Sequence, residues 1–159
     1  MCRIDRFNGT GPASAVANVN PDGTITLVEG SPDIGGSRTA MAMHVAEVLG
    51  IPATDIKPSI ADTDSIGYSS GAGGSGVTFK MGTACYEAAQ DIKAQMIERA
   101  ARMWEVETET VEYRDSVLQH REDPELRMTF GELAKALNGT GGPIVSRATG
   151  NPAGGGSAF

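Results

Sequence analysis

The sequence predicts an α+β fold, a two-layer α/β sandwich with a mixed sheet and helices on one face. Three observations carry that prediction. A unit of strand, glycine loop and helix occurs twice between residues 24 and 104. The second helix of the pair is a long amphipathic stripe. Short β-type segments stand on either side of the two units.

Taken in order, residues 1–12 read as an N-terminal extension. "ASAVANV" (13–19) and "TITLVE" (24–29) alternate as strands, and "NPDG" (20–23) joins them as a turn with Pro21 second and Gly23 last. "GSPDIGGS" (30–37) is a glycine loop that delivers the chain to a helix over 38–50. Met41, Val45, Val48 and Leu49 share one face of that helix, Gly50 suits its left-handed end, and Pro52 blocks continuation. "DIKPSIAD" (55–62) is a short strand whose Pro58 places it at an edge.

The second unit has a longer loop, "TDSIGYSSGAGGS" (63–75), and a longer helix, from about Gly76 to Trp104. Its apolar positions, Val77, Met81, Cys85, Ala88, Ile92, Met96, Ala100 and Met103, step by three and four. Glu98 and Arg102 form an exposed pair one turn apart. Segments 110–115 and 116–120 suggest a hairpin, and 121–127 reads as a charged loop. Thr129 with Glu132 is a capping pattern that opens a helix over 130–137. "PIVSRAT" (143–149) is a last strand, which closes a domain over 13–150, and 151–159 is a glycine-rich tail that reads as the start of a continuation.

The 159 residues suit a single domain. Aromatics are only 5% of them, so the core must come from aliphatic side chains, Met and Ala. Glycine is in surplus, 21 residues where average usage gives about 11, and much of the surplus lies in the two loops. A net charge of −7 argues against nucleic acid or an anionic membrane as partner. No apolar run reaches the about 20 residues that span a bilayer, and "MCRIDRFNGTG" has no apolar signal core. Cys2 and Cys85 form no disulfide framework, which points to a reducing, cytoplasmic setting.

Each glycine loop ends at a helix N-terminus, where unpaired N–H groups and the helix dipole favour an anion. Glycine lets a ligand reach that backbone without meeting a Cβ. Neither loop is a Walker A motif, since Lys80 stands at the wrong spacing. "GAGGSG" (71–76) matches GxGxxG only formally, without the adjacent strand or the acidic residue a dinucleotide site needs. "ADTDS" (61–65) lacks the ligands of a calcium loop and reads as a structural turn. His44 and His120 have no partner at ligand spacing, so no metal site is expected, and His44 reads as a helix surface or boundary residue. No catalytic residue is assigned: GxSxG is missing, Cys85 belongs to the apolar stripe, and Met81, Met96 and Met103 read as core.

The ordered set "DIGG-S-x-T" (33–39), "DTD" (62–64), "GGS-x-x-T" (73–78) and "G-x-A-x-Y-E-A-A" (82–89) resembles the molybdopterin-binding large subunit of the xanthine dehydrogenase/aldehyde oxidase family. The resemblance covers about residues 13–159. It implies a molybdenum-cofactor binding domain in which Gly35, Gly36, Ser37 and Arg38 of one loop hold the cofactor with Gly73, Gly74, Ser75, Gly76, Val77 and Thr78 of the other. The cofactor implied is molybdopterin or molybdopterin cytosine dinucleotide carrying molybdenum, present in a complete enzyme and absent from this chain in isolation. The partners implied are the remainder of a larger subunit together with iron–sulfur and FAD subunits or domains. Self-association through an exposed domain interface is a further expectation. The chain departs from the family pattern at three points. It has no Gln in the first loop, Gly76 stands where many bacterial members carry Arg, and no GxGE occurs. An anion- or nucleotide-binding module that works alone, or a purely structural domain of the same fold, are the competing readings.

Overall fold

The computed structural model describes residues 11–60, 65–74 and 76–151. Seven strands and three α-helices are seen in them, in the order β1 (Ala13–Val19), β2 (Ile25–Glu29), α1 (Ser37–Leu49), β3 (Ile56–Ile60), α2 (Val77–Trp104), β4 (Val111–Arg114), β5 (Val117–His120), β6 (Arg127–Thr129), α3 (Phe130–Ala136) and β7 (Val145–Gly150). The fold is α+β, as the sequence predicts. The larger sheet runs β3-β2-β1-β7 and is mixed, with β2 parallel to β3 and the other neighbours antiparallel. The parallel pair needs a crossover, and α1 supplies it. β3 is an edge strand, which accommodates Pro58 opposite Leu27.

Alternation along β1 and β2 sends Ala13, Ala15, Ala17, Ile25 and Leu27 into the core with Ala84, Cys85, Ala88 and Ile92 of α2. Small residues on both layers let α2 lie close to the sheet. Gly150, paired with Ala13 at the end of β7, marks the closest approach. Cys85 is buried, and desolvation pushes its thiol well above the ordinary range, so it is packing material. Met81 and Met96 are core residues as expected. Met103 is not: it is exposed, because the last turn of α2 presents Ala101 and Trp104 to the core instead.

The stretch 110–129 differs from the sequence reading. A hairpin is present, but the end of the charged stretch also contributes β6, which makes a second sheet of order β4-β5-β6. Arg127, Met128 and Thr129 carry no alternation strong enough to announce a three-residue strand. Thr129 does cap α3 through a reciprocal pair, accepting from the Glu132 N–H while the Glu132 carboxylate accepts from the Thr129 N–H. Arg99 of α2 is buried and donates to the carbonyls of Leu137 and Gly142 and to the Thr140 hydroxyl, tying the end of α3 to the long helix. The Tyr113 hydroxyl donates to the Leu49 carbonyl at 2.6 Å, which anchors the small sheet to α1.

Candidate functional site

Both glycine loops lie at the same end of the larger sheet. The first leaves β2 after Glu29 and enters α1; the second enters α2. Ser69 sits so close to Gly30 that a side chain at position 30 would collide with it, so the absence of a Cβ there brings the loops into contact. The second loop is also laced to β1, with the Ser14 N–H donating to the Ser69 hydroxyl at 3.1 Å and the Ser70 N–H to the Pro12 carbonyl at 2.8 Å.

The first loop turns into α1 through two successive left-handed residues, Gly35 at φ 63° and Gly36 at φ 77°. That is the conformation glycine adopts without penalty. An ideal Cβ on Gly35 or Gly36 would meet nothing within 4 Å, so both backbones face open space. Ser37 is buried, and both Ser37 and Arg38 are engaged within the loop. The Ser37 hydroxyl donates to the Pro32 carbonyl at 3.2 Å, and the Arg38 N–H donates to the Asp33 carboxylate at 3.1 Å. The Asp33 carboxylate also pairs with the Arg38 guanidinium at 3.5 Å. An internal carboxylate thus already answers the dipole at the start of α1.

The start of α2 is different. Gly76 is its N-cap residue and offers no side chain, and among the described residues no side chain accepts a hydrogen bond from the first-turn N–H groups. A cleft of 410 Å³ opens there, lined by Ile34 of the first loop and by Ala72, Gly73, Gly76, Val77 and Thr78 of the second. Gly73 is exposed, has no left-handed φ, and an added Cβ would meet nothing within 4 Å. Neither conformation nor packing against the described residues therefore demands glycine at 73. Gly74 differs, since its φ of 54° is left-handed. Of the sequence-predicted site residues, Gly73, Gly76, Val77 and Thr78 line the cleft, and Gly35 and Gly36 follow Ile34 at its rim. Ser75 and the "DTD" turn at 62–64 lie outside the described residues.

Three residues near the loops escaped the sequence reading. Ile34 is an exposed apolar side chain in an otherwise polar loop, and that mismatch was its available signal. Lys80 is only 3% exposed. Its spacing to Ala84 and Ala88, four and eight residues on, places it on the buried face of α2. Glu29, at the end of β2, is fully buried. Its Oε2 accepts from the Ser31 hydroxyl at 2.7 Å, while its Oε1 and the Arg38 Nε, both buried, have no hydrogen-bond partner among the described residues. Alternation with Ile25 and Leu27 points Glu29 inward.

Desolvation holds the Glu29 carboxyl above the usual glutamate range; the Ser31 hydrogen bond opposes this, Asp33 adds to it, and Arg38 opposes it. An acid whose pKa is raised by folding loses stability as pH climbs from its unfolded value through its folded one. Glu29→Gln is therefore expected to melt higher than the parent at about pH 8 and to match it more closely near about pH 4. Thermal melts of both proteins across that range check this. A lower melting point for the variant at the alkaline end would show that the carboxylate is stabilising.

His44 is a half-buried boundary residue. Its ring lies over Gly82 of α2, where a Cβ would come within 2.8 Å of Nε2. It helps line a second cleft of 640 Å³ between the helices, with Thr78, Phe79, Thr83, Tyr86 and Glu87. Thr78 borders both clefts, so they are neighbours on one surface. Phe79 and Tyr86 are both exposed there. Among the described residues no group of His, Cys, Asp and Glu could hold a metal ion. No helix among them is long and apolar enough to cross a membrane.

Comparison with known proteins bears on this site. Residues 2–153 match the family model for a molybdopterin cofactor-binding domain. The chain is 36% identical over 124 residues to the carbon monoxide dehydrogenase large chain of Afipia carboxidovorans, which covers 77% of this chain and 15% of that one. The crystal structure of a Cu,Mo-CO dehydrogenase in its carbon monoxide reduced state is similar with a TM-score of 0.86 and 29% identity, covering 94% of this chain and 21% of that one. Quinoline 2-oxidoreductase from Pseudomonas putida 86 shares the fold, with a TM-score of 0.78 and 23% identity over 94% of this chain and 22% of its own. The chain thus spans between 15% and 22% of the length of these relatives.

Proposed function

We infer the function from one premise: the chain belongs to the molybdopterin cofactor-binding domain family. The two glycine loops hold a molybdenum cofactor through backbone N–H groups, within an oxidoreductase of the molybdenum hydroxylase type. The observation that carries this reading is the bare wall of the cleft at the start of α2. Gly73 is glycine there although the chain's own conformation and packing do not require it, and Gly35 and Gly36 also face open space. A planar, phosphate-bearing group can lie against such backbone where a Cβ would hold it off.

The two loops have unequal roles. Asp33 occupies the dipole at α1, so the phosphate portion belongs at the start of α2, where the N-cap residue is glycine, near Gly73, Gly76, Val77 and Thr78. Gly35 and Gly36 supply N–H groups, while Ser37 and Arg38 act by shaping the loop. The cofactor is molybdopterin or its cytosine dinucleotide; when bound, it supplies the redox chemistry at its metal, and the chain's residues bind and orient it.

In a complete enzyme the reaction is hydroxylation of a heteroaromatic or aldehyde carbon with oxygen from water, or in a reductive variant removal of an aromatic hydroxyl. Iron–sulfur and FAD partners accept the two electrons that hydroxylation releases, and in the reductive variant they supply them. The 15% share of the carbon monoxide dehydrogenase chain leaves room for further domains. We assign the cleft between α1 and α2, with its exposed Phe79 and Tyr86, to such a domain of the same subunit.

Metal analysis and pterin fluorescence test the reading. A large subunit that contains this chain is expected to carry molybdenum and pterin, and the 159 residues alone neither. A complete subunit free of both would overturn it.

A further inference from the structure

Lys80 is the cation next to the cleft that the fold has gone furthest to bury. Its side chain starts in the first turn of α2 and returns to the second loop. The ammonium donates to the Ser70 hydroxyl at 2.7 Å and to the Gly71 carbonyl at 3.0 Å. Gly71 is bonded to Ala72, the first residue of the second loop to line the cleft. Both partners are neutral, and among the described residues no carboxylate lies within ion-pair range of Lys80. Arg38, at the other loop, is by contrast paired with Asp33.

Burying an ammonium costs free energy unless something compensates its charge. Two neutral acceptors satisfy hydrogen bonds, and among the described residues no carboxylate pairs with the charge. In a medium of low dielectric constant that charge acts over a longer range than it would in water. It adds to the field at the start of α2, which among the described residues no side chain caps.

We propose that Lys80 makes the second loop an anion-binding surface, its ammonium supplying the fixed positive charge for a phosphate or pyrophosphate group lying in the cleft. This deepens the functional reading above and rests on it. Lys80 is a positioning residue: it fixes Ser70 and Gly71, and acts on the ligand through its field. The sequence places it outside any phosphate-loop spacing because it approaches the loop from beneath.

The test is titration of the full 159-residue chain with inorganic pyrophosphate, followed by the amide resonances of Gly73, Gly76, Val77 and Thr78. The wild-type chain is expected to bind, more weakly as salt is raised. Lys80→Gln keeps an N–H donor for the Gly71 carbonyl but loses the charge, and is expected to bind about tenfold more weakly. Lys80→Arg keeps the charge and is expected to retain most of the affinity. Equal affinity of Lys80→Gln and wild type overturns the role of Lys80 and leaves the cofactor reading standing. Binding that is absent in the wild type, or insensitive to salt, overturns it as well. In those cases molybdenum and pterin content of the complete subunit judges the cofactor reading separately. Amide exchange at Ser70 reports whether a variant has loosened the loop, and rescue by Lys80→Arg then distinguishes charge from anchoring.

Discussion

Gly73→Val is expected to leave the fold intact and to strip the cofactor from a complete subunit. The first half follows from the chain's own geometry. Gly73 is exposed, its φ is not left-handed, and a Cβ built on it meets nothing within 4 Å. Its carbonyl accepts from the Gly76 N–H at 3.0 Å, a bond that a side chain at 73 does not remove. An exposed substitution of this kind changes stability by about 0.5 kcal/mol or less. The loss of unfolded-state freedom when glycine is replaced offsets part of any cost. The second half follows from the ligand. A group lying in van der Waals contact with that backbone is about 3.5–4 Å away, which is the space the valine methyls take. Molybdenum and pterin content is expected to fall at least about tenfold, the equivalent of losing about 1.4 kcal/mol of binding. Normal content together with a normal melting point would show that nothing packs against Gly73. Gly74→Val does not separate the two causes, because its φ of 54° strains a β-branched residue whether or not a ligand is present.

The contrast between those two glycines shows what was legible in the sequence. The doubled unit of strand, loop and helix was readable because each element repeats a period over several residues. β1, β2, α1 and α2 follow from alternation, from the three-and-four stepping of Met81, Cys85 and Ala88, and from Gly50 with Pro52 as a stop. The two loops stood out by composition alone. Which glycines serve the fold and which serve a ligand was not readable, since the letter is the same at 30, 36, 73 and 150 and only the surroundings differ. Nor was the engagement of Ser37 with the Pro32 carbonyl and of Arg38 with Asp33, which depends on the loop folding back onto the first turn of α1. Three buried ionic residues, Glu29, Lys80 and Arg99, were hidden by the ordinary expectation that charge lies outside. Lys80 and Arg99 each sit on the inner face of α2; Lys80 reaches back to the loop that precedes the helix, and Arg99 finds its partners in the sequence-distant turn after α3. β6 was missed because three residues are too few to express a period.

Gly150 is the opposite case to Gly73, and a side chain there is expected to cost fold and site together. Its ideal Cβ would lie 2.6 Å from the Ala84 nitrogen, 2.7 Å from the Lys80 carbonyl oxygen and 3.1 Å from the Thr83 Cβ. Two of those three are helix backbone, which cannot rotate away as a side chain does. Relief requires β7 and α2 to separate, and they meet across a core already at close packing. Overpacking a core costs about 1–3 kcal/mol in general. Gly150→Val belongs at the upper end, about 3 kcal/mol, because the collision is with main chain. For a chain of this length that lowers the melting point by about 6–12 °C. Gly150→Ala already introduces the colliding atom, so most of the loss is expected with alanine, and valine adds the remainder. A fall of under about 1 °C for alanine would mean that the helix rides further from the sheet than the fold described above requires. The damage extends to the cleft, because Lys80 contributes its carbonyl to the contact with Gly150 and its ammonium to Ser70 and Gly71. Displacing the first turn of α2 shifts that ammonium, so faster amide exchange at Ser70 is expected in Gly150→Ala before global unfolding sets in. The close contact of sheet and long helix is thus what holds the second loop in place, and the bare backbone at Gly73 depends on the crowded backbone at Gly150.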